Sequence, residues 1–145
     1  MEFKAYKMDG LGNDFVIIDQ RQSQIKLTKD QIKKICNRNF IGCDQLIFIN
    51  KNLKIDASLE FYNSDGSTSG ACGNGTRCVA YLLSREMKKN KITLETETGN
   101  LESKVLGEKL VETKIGPAKT KWNEIPLLRE LNTNNLNYKI IDKNK

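Results

Sequence analysis

The sequence feature that most constrains the fold is an apolar hexapeptide inside a predicted helix. Residues 78–83 read CVAYLL, and no helix breaker occurs between Asn74 and about Met87. Because successive residues of a helix point in all directions around its axis, this segment is apolar on every face, and such a helix is buried on several sides. We therefore predict that the helix runs through the middle of a sheet rather than across it.

Short strands flank this helix in the sequence. The segments EFKAYKM and FVIID, joined by the turn-rich DGLGND, predict a hairpin, and DQLIFIN and ASLEFYN predict two further strands. Three more strands are predicted over residues 91–97, 101–106 and 109–115. The predicted fold class is α+β, a mostly antiparallel β-sheet that curls like a barrel around the central buried helix.

An amphipathic helix is predicted over residues 28–38. Thr28 precedes it as N-cap, and Gln31 stands at the spacing of a capping box. Ile32, Ile35 and Cys36 then form one apolar stripe, which makes Cys36 a core residue.

Composition indicates an ordinary globular domain followed by a different kind of segment. Of the 145 residues, 38% are apolar and 29% are charged. The first residues lack the apolar core of a signal peptide, and no apolar run is long enough to span a membrane, so we expect a cytoplasmic protein without a membrane partner. We expect residues 1–117 to form the domain and residues 118–145, rich in asparagine, to be a linker with the start of a second domain, whose first strand would be YKII.

Residue types that are missing or scattered exclude several functions. The chain has no histidine, which excludes Ser-His and Cys-His catalysis and histidine-containing zinc sites. Its four cysteines are too widely spaced for a Cys₄ zinc site, so we expect no metal, and without a secretion signal we expect free thiols. The net charge of +6 comes from 19 lysines and only 5 arginines spread along the chain, which disfavours the alternative of a nucleic-acid-binding domain.

Cys72 is the candidate reactive residue. It stands just before the predicted helix between small residues, where unpaired backbone N–H groups and the helix dipole stabilise a thiolate or a ligand carboxylate. A thiolate beside a carboxylate clamp suits removal of the α-proton of an amino acid. The alternative is an ordinary buried cysteine, since free cysteine is among the most buried residue types. Cys78 lies further along the helix and is expected in the core, and nothing marks Cys43 as reactive.

Four segments together resemble one known family. MDGLGNDFVIID, IGCDQLIFI, FYNSDGS and ACGNGTRCVAYLL, in this order, are similar to diaminopimelate epimerase, and GPAKTKWNEIPL resembles that family's bridge between domains. The resemblance extends to about residue 128. It implies two similar domains, each a curled sheet around a central helix, with the active site between them, so that residues 1–117 would be the N-terminal epimerase domain.

The resemblance also implies an activity and a set of site residues. The activity is interconversion of LL- and meso-diaminopimelate without pyridoxal phosphate or another cofactor, on the route to lysine and peptidoglycan precursors. Two cysteines on opposite faces of the α-carbon exchange the proton, and Cys72 matches one of them. The positions that match the family's substrate contacts are Asn13, Gln45, Asn63, Gly73 and Asn74.

The chain also departs from the family's pattern. The family's chains are about twice as long, and no cysteine follows Cys78 to act as the second base. We therefore expect a fragment, a truncated gene product or one half of a split enzyme that needs a complementary C-terminal domain for activity. The alternative is a catalytically inactive remnant or a substrate-binding half. A homodimer is a further expected assembly.

Overall fold

A computed structural model describes residues 3–125 and 127–134. The chain divides into two units at the Ile115–Gly116 bond, and the first unit contains all the described strands and α-helices. Within the second unit, a short 3₁₀ helix spans Trp122–Glu124. The strand predicted at YKII, residues 138–141, lies outside the described residues.

In the described part of the chain, eight strands and two α-helices build the first unit. In chain order they are β1 (Ala5–Gly10), β2 (Asn13–Asp19), α1 (Lys29–Cys36), β3 (Gln45–Asn50), β4 (Ala57–Asn63), β5 (Thr68–Ser69), α2 (Gly73–Met87), β6 (Lys91–Thr96), β7 (Gly99–Gly107) and β8 (Leu110–Lys114).

The strands form one sheet in the order β1-β2-β3-β4-β6-β7-β8, and β5 pairs with β4. The pairs β2/β3 and β4/β6 are parallel, and the remaining neighbours are antiparallel. The prediction of an α+β fold with a mostly antiparallel sheet is confirmed.

Helix α2 lies against one face of this sheet, which we call the inner face. It contacts β1 and β2 near one end of the strand order and β6, β7 and β8 near the other, so the sheet curls around the helix. Cys78, Val79, Ala80 and Leu83 of the apolar hexapeptide are buried, and its other two residues are half-buried. The buried central helix predicted from the hexapeptide is therefore confirmed.

Helix α1 covers the opposite, outer face. The predicted capping box is present, since the Gln31 N–H donates to Thr28 Oγ1 and the Thr28 N–H donates to Gln31 Oε1. Ile32, Ile35 and Cys36 are buried as predicted, in a cluster that also contains Val16, Ile18, Cys43, Leu46 and Phe48. Alternate residues of β2 and β3 therefore enter an apolar core on each side of the sheet.

Two details differ from the sequence-based expectation. Helix α2 begins at Gly73 rather than Asn74, because Cys72 in extended conformation caps it. Strand β5 was not predicted, since its two residues are too few to show an alternating pattern.

Candidate active site

Three side-chain amides lie at one edge of the inner face. Asn13 begins β2, Gln45 begins β3 and Asn63 ends β4. Because β2 and β3 are parallel and β4 runs the opposite way, these ends meet at the same edge, where Gln45 is paired with Asn63 and with Phe15. The sheet thus brings together residues that are up to 50 positions apart in the chain.

The start of α2 lies on the apolar floor beside these amides. Phe15, Ile47 and Phe61 each lie two residues along the strand from one of these amides and so share the inner face with them. Gly75 packs onto this floor: a Cβ on it would lie 2.7 Å from Ile47 Cδ1 and 3.0 Å from Phe61 Cε1. Glycine is therefore required here by the close approach of helix and sheet.

Cys72 is the N-cap of α2 and is half-buried. Its Sγ accepts the Gly75 N–H at 3.5 Å, and its carbonyl oxygen accepts the N–H and the hydroxyl of Thr76, each at 2.8 Å. The N–H groups of Gly73 and Asn74 have no acceptor within the helix, as in the first turn of any helix. The thiol therefore stands beside backbone donors and the positive end of the helix dipole.

Arg77 fixes the orientation of the Asn74 amide. Its Nη2 donates to Asn74 Oδ1 from one turn along the helix. Since a guanidinium only donates hydrogen bonds, the oxygen of Asn74 must face it, and the Nδ2 of Asn74 remains as a donor. This contact was not predicted from the sequence, although the i, i+3 spacing of the two residues is a signal for it.

The strand side of the site carries two buried amide oxygens. Within the described residues, Asn13 Oδ1 and Gln45 Oε1 are buried and have no hydrogen-bond partner. Buried polar atoms are normally paired, because leaving them unpaired costs about 1–3 kcal/mol. These two acceptors lie beside the N–H donors at the start of α2. The site can therefore bind a positively charged group at the amide oxygens and a negatively charged group at the helix start.

A chain of hydrogen bonds leads away from Gln45 to a carboxylate. Gln45 Nε2 donates to Asn63 Oδ1 at 3.0 Å, Asn63 Nδ2 donates to Ser67 Oγ at 3.0 Å, and the Ser67 hydroxyl donates to Asp65 Oδ1 at 2.6 Å. The hydroxyl and N–H of Ser67 hold the pKa of the Asp65 carboxyl below its ordinary value, so it is ionised at neutral pH. Sequence analysis assigned no role to Ser67.

The other cysteines differ from Cys72 in their surroundings. Cys36, Cys43 and Cys78 are buried, and burial is the main cause that raises the pKa of Cys36 to about 12 and of Cys78 to about 11. Burial also raises the pKa of Cys43, whose Sγ lies 3.3 Å from Cys36 Sγ. The expectation that Cys36 and Cys78 are core residues is confirmed.

The described residues carry neither a metal cluster nor a membrane-spanning helix. Among them, no three histidine, cysteine, aspartate or glutamate side chains converge so as to hold a metal ion. None of the described helices has the length and apolar composition needed to cross a membrane.

Solved structures of other proteins share the fold of this chain. The structure described as methylitaconate-delta-isomerase superposes with a TM-score of 0.56 at 16% identity, over 87% of this chain and 68% of that one. A PhzF-family phenazine biosynthesis protein from Enterococcus faecalis also gives a TM-score of 0.56 at 16% identity, over 72% of this chain and 40% of that one. At such identities the likeness establishes the fold alone, a curled sheet around a central helix.

Sequence comparison then identifies the family. The family model for diaminopimelate epimerase matches residues 5–121. A diaminopimelate epimerase from Pelagibacter ubique (strain HTCC1062) is 65% identical over 144 residues, which is 99% of this chain and 53% of that protein. One from Phenylobacterium zucineum (strain HLK1) is 46% identical over 83% of this chain and 44% of its own length. The chain belongs to the diaminopimelate epimerase family, and it spans about half the length of these relatives.

Proposed function

We propose that this chain provides one half of an active site that converts LL-diaminopimelate to meso-diaminopimelate without pyridoxal phosphate or another cofactor. Family membership supports the reaction. The single observation that carries the proposal is the half-buried Cys72 thiol at the start of α2, beside a sheet edge with two unpaired amide oxygens. The reaction would serve lysine and peptidoglycan-precursor synthesis, which makes the cytoplasm its proposed compartment.

Cys72 is the proposed base on one face of the substrate's α-carbon. Its thiolate takes the α-proton, and a second acid on the opposite face delivers a proton to the same carbon, which inverts the centre. The cysteines other than Cys72 are buried in the described structure, so the second acid is proposed to come from a complementary C-terminal domain.

The start of α2 is the proposed site for the α-carboxylate. Removal of the α-proton moves negative charge onto the carboxylate oxygens as the enolate-like transition state forms. Donors that are already oriented stabilise this charge without reorganising. The N–H groups of Gly73 and Asn74, with the Nδ2 that Arg77 leaves free on Asn74, are such donors.

The amides of Asn13, Gln45 and Asn63 are the proposed contacts for the rest of the substrate. Their edge of the sheet adjoins the start of α2, and two of their carbonyl oxygens receive no hydrogen bond from the residues that the structure describes. An ammonium group has three N–H donors and no acceptor, so it complements such oxygens.

Two points of organisation complete the proposal. Residues 1–117 are proposed as the N-terminal epimerase domain, with residues 118–145 as linker and start of the second domain. Because the chain spans about half the length of its relatives, catalysis is proposed for the completed site and not for this chain alone. A homodimer of the completed protein is part of the same proposal.

Reconstitution tests this proposal. The purified chain is mixed with the remaining half of the Pelagibacter ubique relative, and conversion of LL- to meso-diaminopimelate is followed. We expect conversion by the mixture, a loss of about 10²–10⁴-fold in Cys72→Ser, and near-normal rates in the matched control Cys78→Ala. Conversion by the chain alone, or an active Cys72→Ser mixture, would contradict the proposal. An inactive wild-type mixture that still binds substrate would favour the alternative of a substrate-binding half.

A further inference from the structure

In the series of hydrogen bonds between Gln45 and Asp65, the donor and the acceptor of each bond are fixed. The series starts at an ionised carboxylate, which only accepts hydrogen bonds. The single hydroxyl proton of Ser67 therefore points at Asp65, and the Ser67 oxygen is left to accept. Asn63 must then present its Nδ2 to Ser67, at 3.0 Å.

The same constraint passes on to the next amide. Because Nδ2 of Asn63 donates to Ser67, its Oδ1 faces Gln45. Gln45 must therefore donate from Nε2 to this oxygen, at 3.0 Å. Reversing either amide would place two oxygens or two NH₂ groups against each other. The series of hydrogen bonds thus ends at Gln45 Oε1, a buried oxygen with no partner in the described part of the structure.

The turn that carries Asp65 and Ser67 is held independently by its backbone. The Asn63 N–H donates to the Ser67 carbonyl at 2.8 Å, and the Gly66 N–H donates to the Asn63 carbonyl at 2.9 Å. The Ser67 N–H also donates to Asp65 Oδ1 at 2.8 Å. Removing only the Ser67 hydroxyl therefore interrupts the series of side-chain hydrogen bonds between Asp65 and Gln45. The backbone hydrogen bonds of the turn remain in place.

We propose that Asp65 and Ser67 are positioning residues, which fix the Gln45 amide so that its oxygen, and not its NH₂ group, is offered to an ammonium group of the substrate. This inference rests on the proposed function, in which Gln45 contacts the substrate. Without the Ser67 hydroxyl, the Gln45–Asn63 pair can form its hydrogen bond in either of two orientations, and one of them turns NH₂ donors toward a cation. Asn13 Oδ1 is a second acceptor at the same edge.

The orientation is tested on the free chain by NMR of the side-chain amides. In the ¹⁵N-labelled wild type we expect one pair of NH₂ signals each for Gln45 and Asn63. Ser67→Ala should shift or double both pairs, and the matched variant Ser67→Thr, which keeps a hydroxyl, should restore single signals. Thermal unfolding first shows that both proteins are folded. Identical Gln45 signals in wild type and Ser67→Ala would then overturn the proposal that Asp65 and Ser67 orient the Gln45 amide.

Recognition of the ammonium group is tested by titrating the same variants with two ligands. Diaminopimelate carries ammonium groups, and pimelate is the same seven-carbon dicarboxylate without them. We expect Ser67→Ala to bind diaminopimelate about tenfold more weakly, with pimelate binding unchanged and Ser67→Thr close to wild type.

The two ligands separate the ways in which the inference can fail. If Ser67→Ala weakened the binding of both ligands equally, or of neither ligand, Asp65 and Ser67 would have no role in recognising the ammonium group. A wild-type chain that binds neither ligand would contradict substrate binding by this half, and with it the ammonium contact. The NMR spectra would still decide the orientation of Gln45 separately.

Discussion

At the edge where β2 and β3 begin, the side chains on the two faces of the sheet differ in their hydrogen bonding. On the outer face, the Asp14 carboxylate accepts hydrogen bonds from Arg38 at 2.6 and 2.8 Å and from Lys7, and Arg38 also binds Asp44. On the inner face, the neighbouring residues Asn13 and Gln45 each have a buried oxygen without a partner among the described residues.

This contrast arises from alternation along a strand. Asn13 and Asp14 are adjacent in sequence, as are Asp44 and Gln45, so each dipeptide sends one side chain to each face. Opposite charges close the outer edge and tie β2 to the segment before β3. The inner edge keeps unpaired acceptors that a ligand can satisfy. One edge thus combines a stabilising face with a binding face.

The largest effect is expected from truncating a phenylalanine on each face. Phe61 on the inner face and Phe48 on the outer face are 2% and 4% exposed, so either alanine variant should lose about 3–5 kcal/mol in urea unfolding. Only Phe61→Ala should also shift the side-chain amide signals of Gln45 and Asn63, because Phe61 belongs to the floor under them. Equal shifts in both variants would mean that the faces are not independent.

A smaller effect is expected where α2 meets the inner face. Gly75→Ala should cost about 1–3 kcal/mol, since its Cβ would lie 2.7 Å from Ile47 Cδ1. In the control Gly73→Ala, the nearest atom to the added Cβ outside the local backbone is Arg77 Nη1 at 3.7 Å, an ordinary contact, so stability should change by less than about 0.5 kcal/mol. Chemical denaturation measures both, and equal values would show that the helix does not rest on the floor as described.

The outer edge should make stability depend on pH. The Arg38 guanidinium, more than any other group, holds the pKa of Asp14 well below its ordinary value of about 3.9. A lowered folded-state pKa contributes stability above about pH 4, which is lost as the pH falls through the folded-state value. Asp14→Asn should therefore reduce the difference in unfolding free energy between pH 7 and pH 3. If this difference in unfolding free energy were the same in Asp14→Asn and wild type, Asp14 would not contribute to the pH dependence of stability.

The smallest effect on stability is expected at the inner edge. Asn13→Ala removes a buried oxygen that none of the described residues pairs with, so the unfolding free energy should change by less than about 0.5 kcal/mol or rise slightly. Binding of diaminopimelate should nevertheless weaken in a calorimetric titration. A large loss of stability would indicate that Asn13 is structural, and the contrast between the faces would fail.

Local signals explain which parts of the fold the sequence predicts. The hexapeptide CVAYLL identifies the buried helix, and Thr28 with Gln31 identifies the start of α1, because each signal lies within a few residues. The Gln45–Asn63 contact depends instead on the register of β3 against β4, and the bond from Arg38 to Asp14 joins different elements. Neither contact has a local signal.

The candidate site was predictable to a different extent. The chemistry of the residues and their place before a helix point to Cys72, with a core cysteine as the alternative. Asn13, Gln45 and Asn63 follow only from the family resemblance, since single amides near turns usually serve the turn itself. The orientation of the Gln45 amide could not be predicted, because it is set through Asn63 and Ser67 by the Asp65 carboxylate.

The most direct test of the central claim, a reactive thiol at the start of α2, is alkylation by an aziridine analogue of diaminopimelate, read by intact mass. The thiolate attacks a ring carbon, the carbon–nitrogen bond breaks, and the nitrogen takes up a proton. We predict a single adduct on Cys72, which is absent in Cys72→Ser and present in Cys78→Ala. Cys36, Cys43 and Cys78 should stay unmodified, because burial raises the pKa of each. Equal labelling of all four cysteines, or an adduct that persists in Cys72→Ser, would contradict the account.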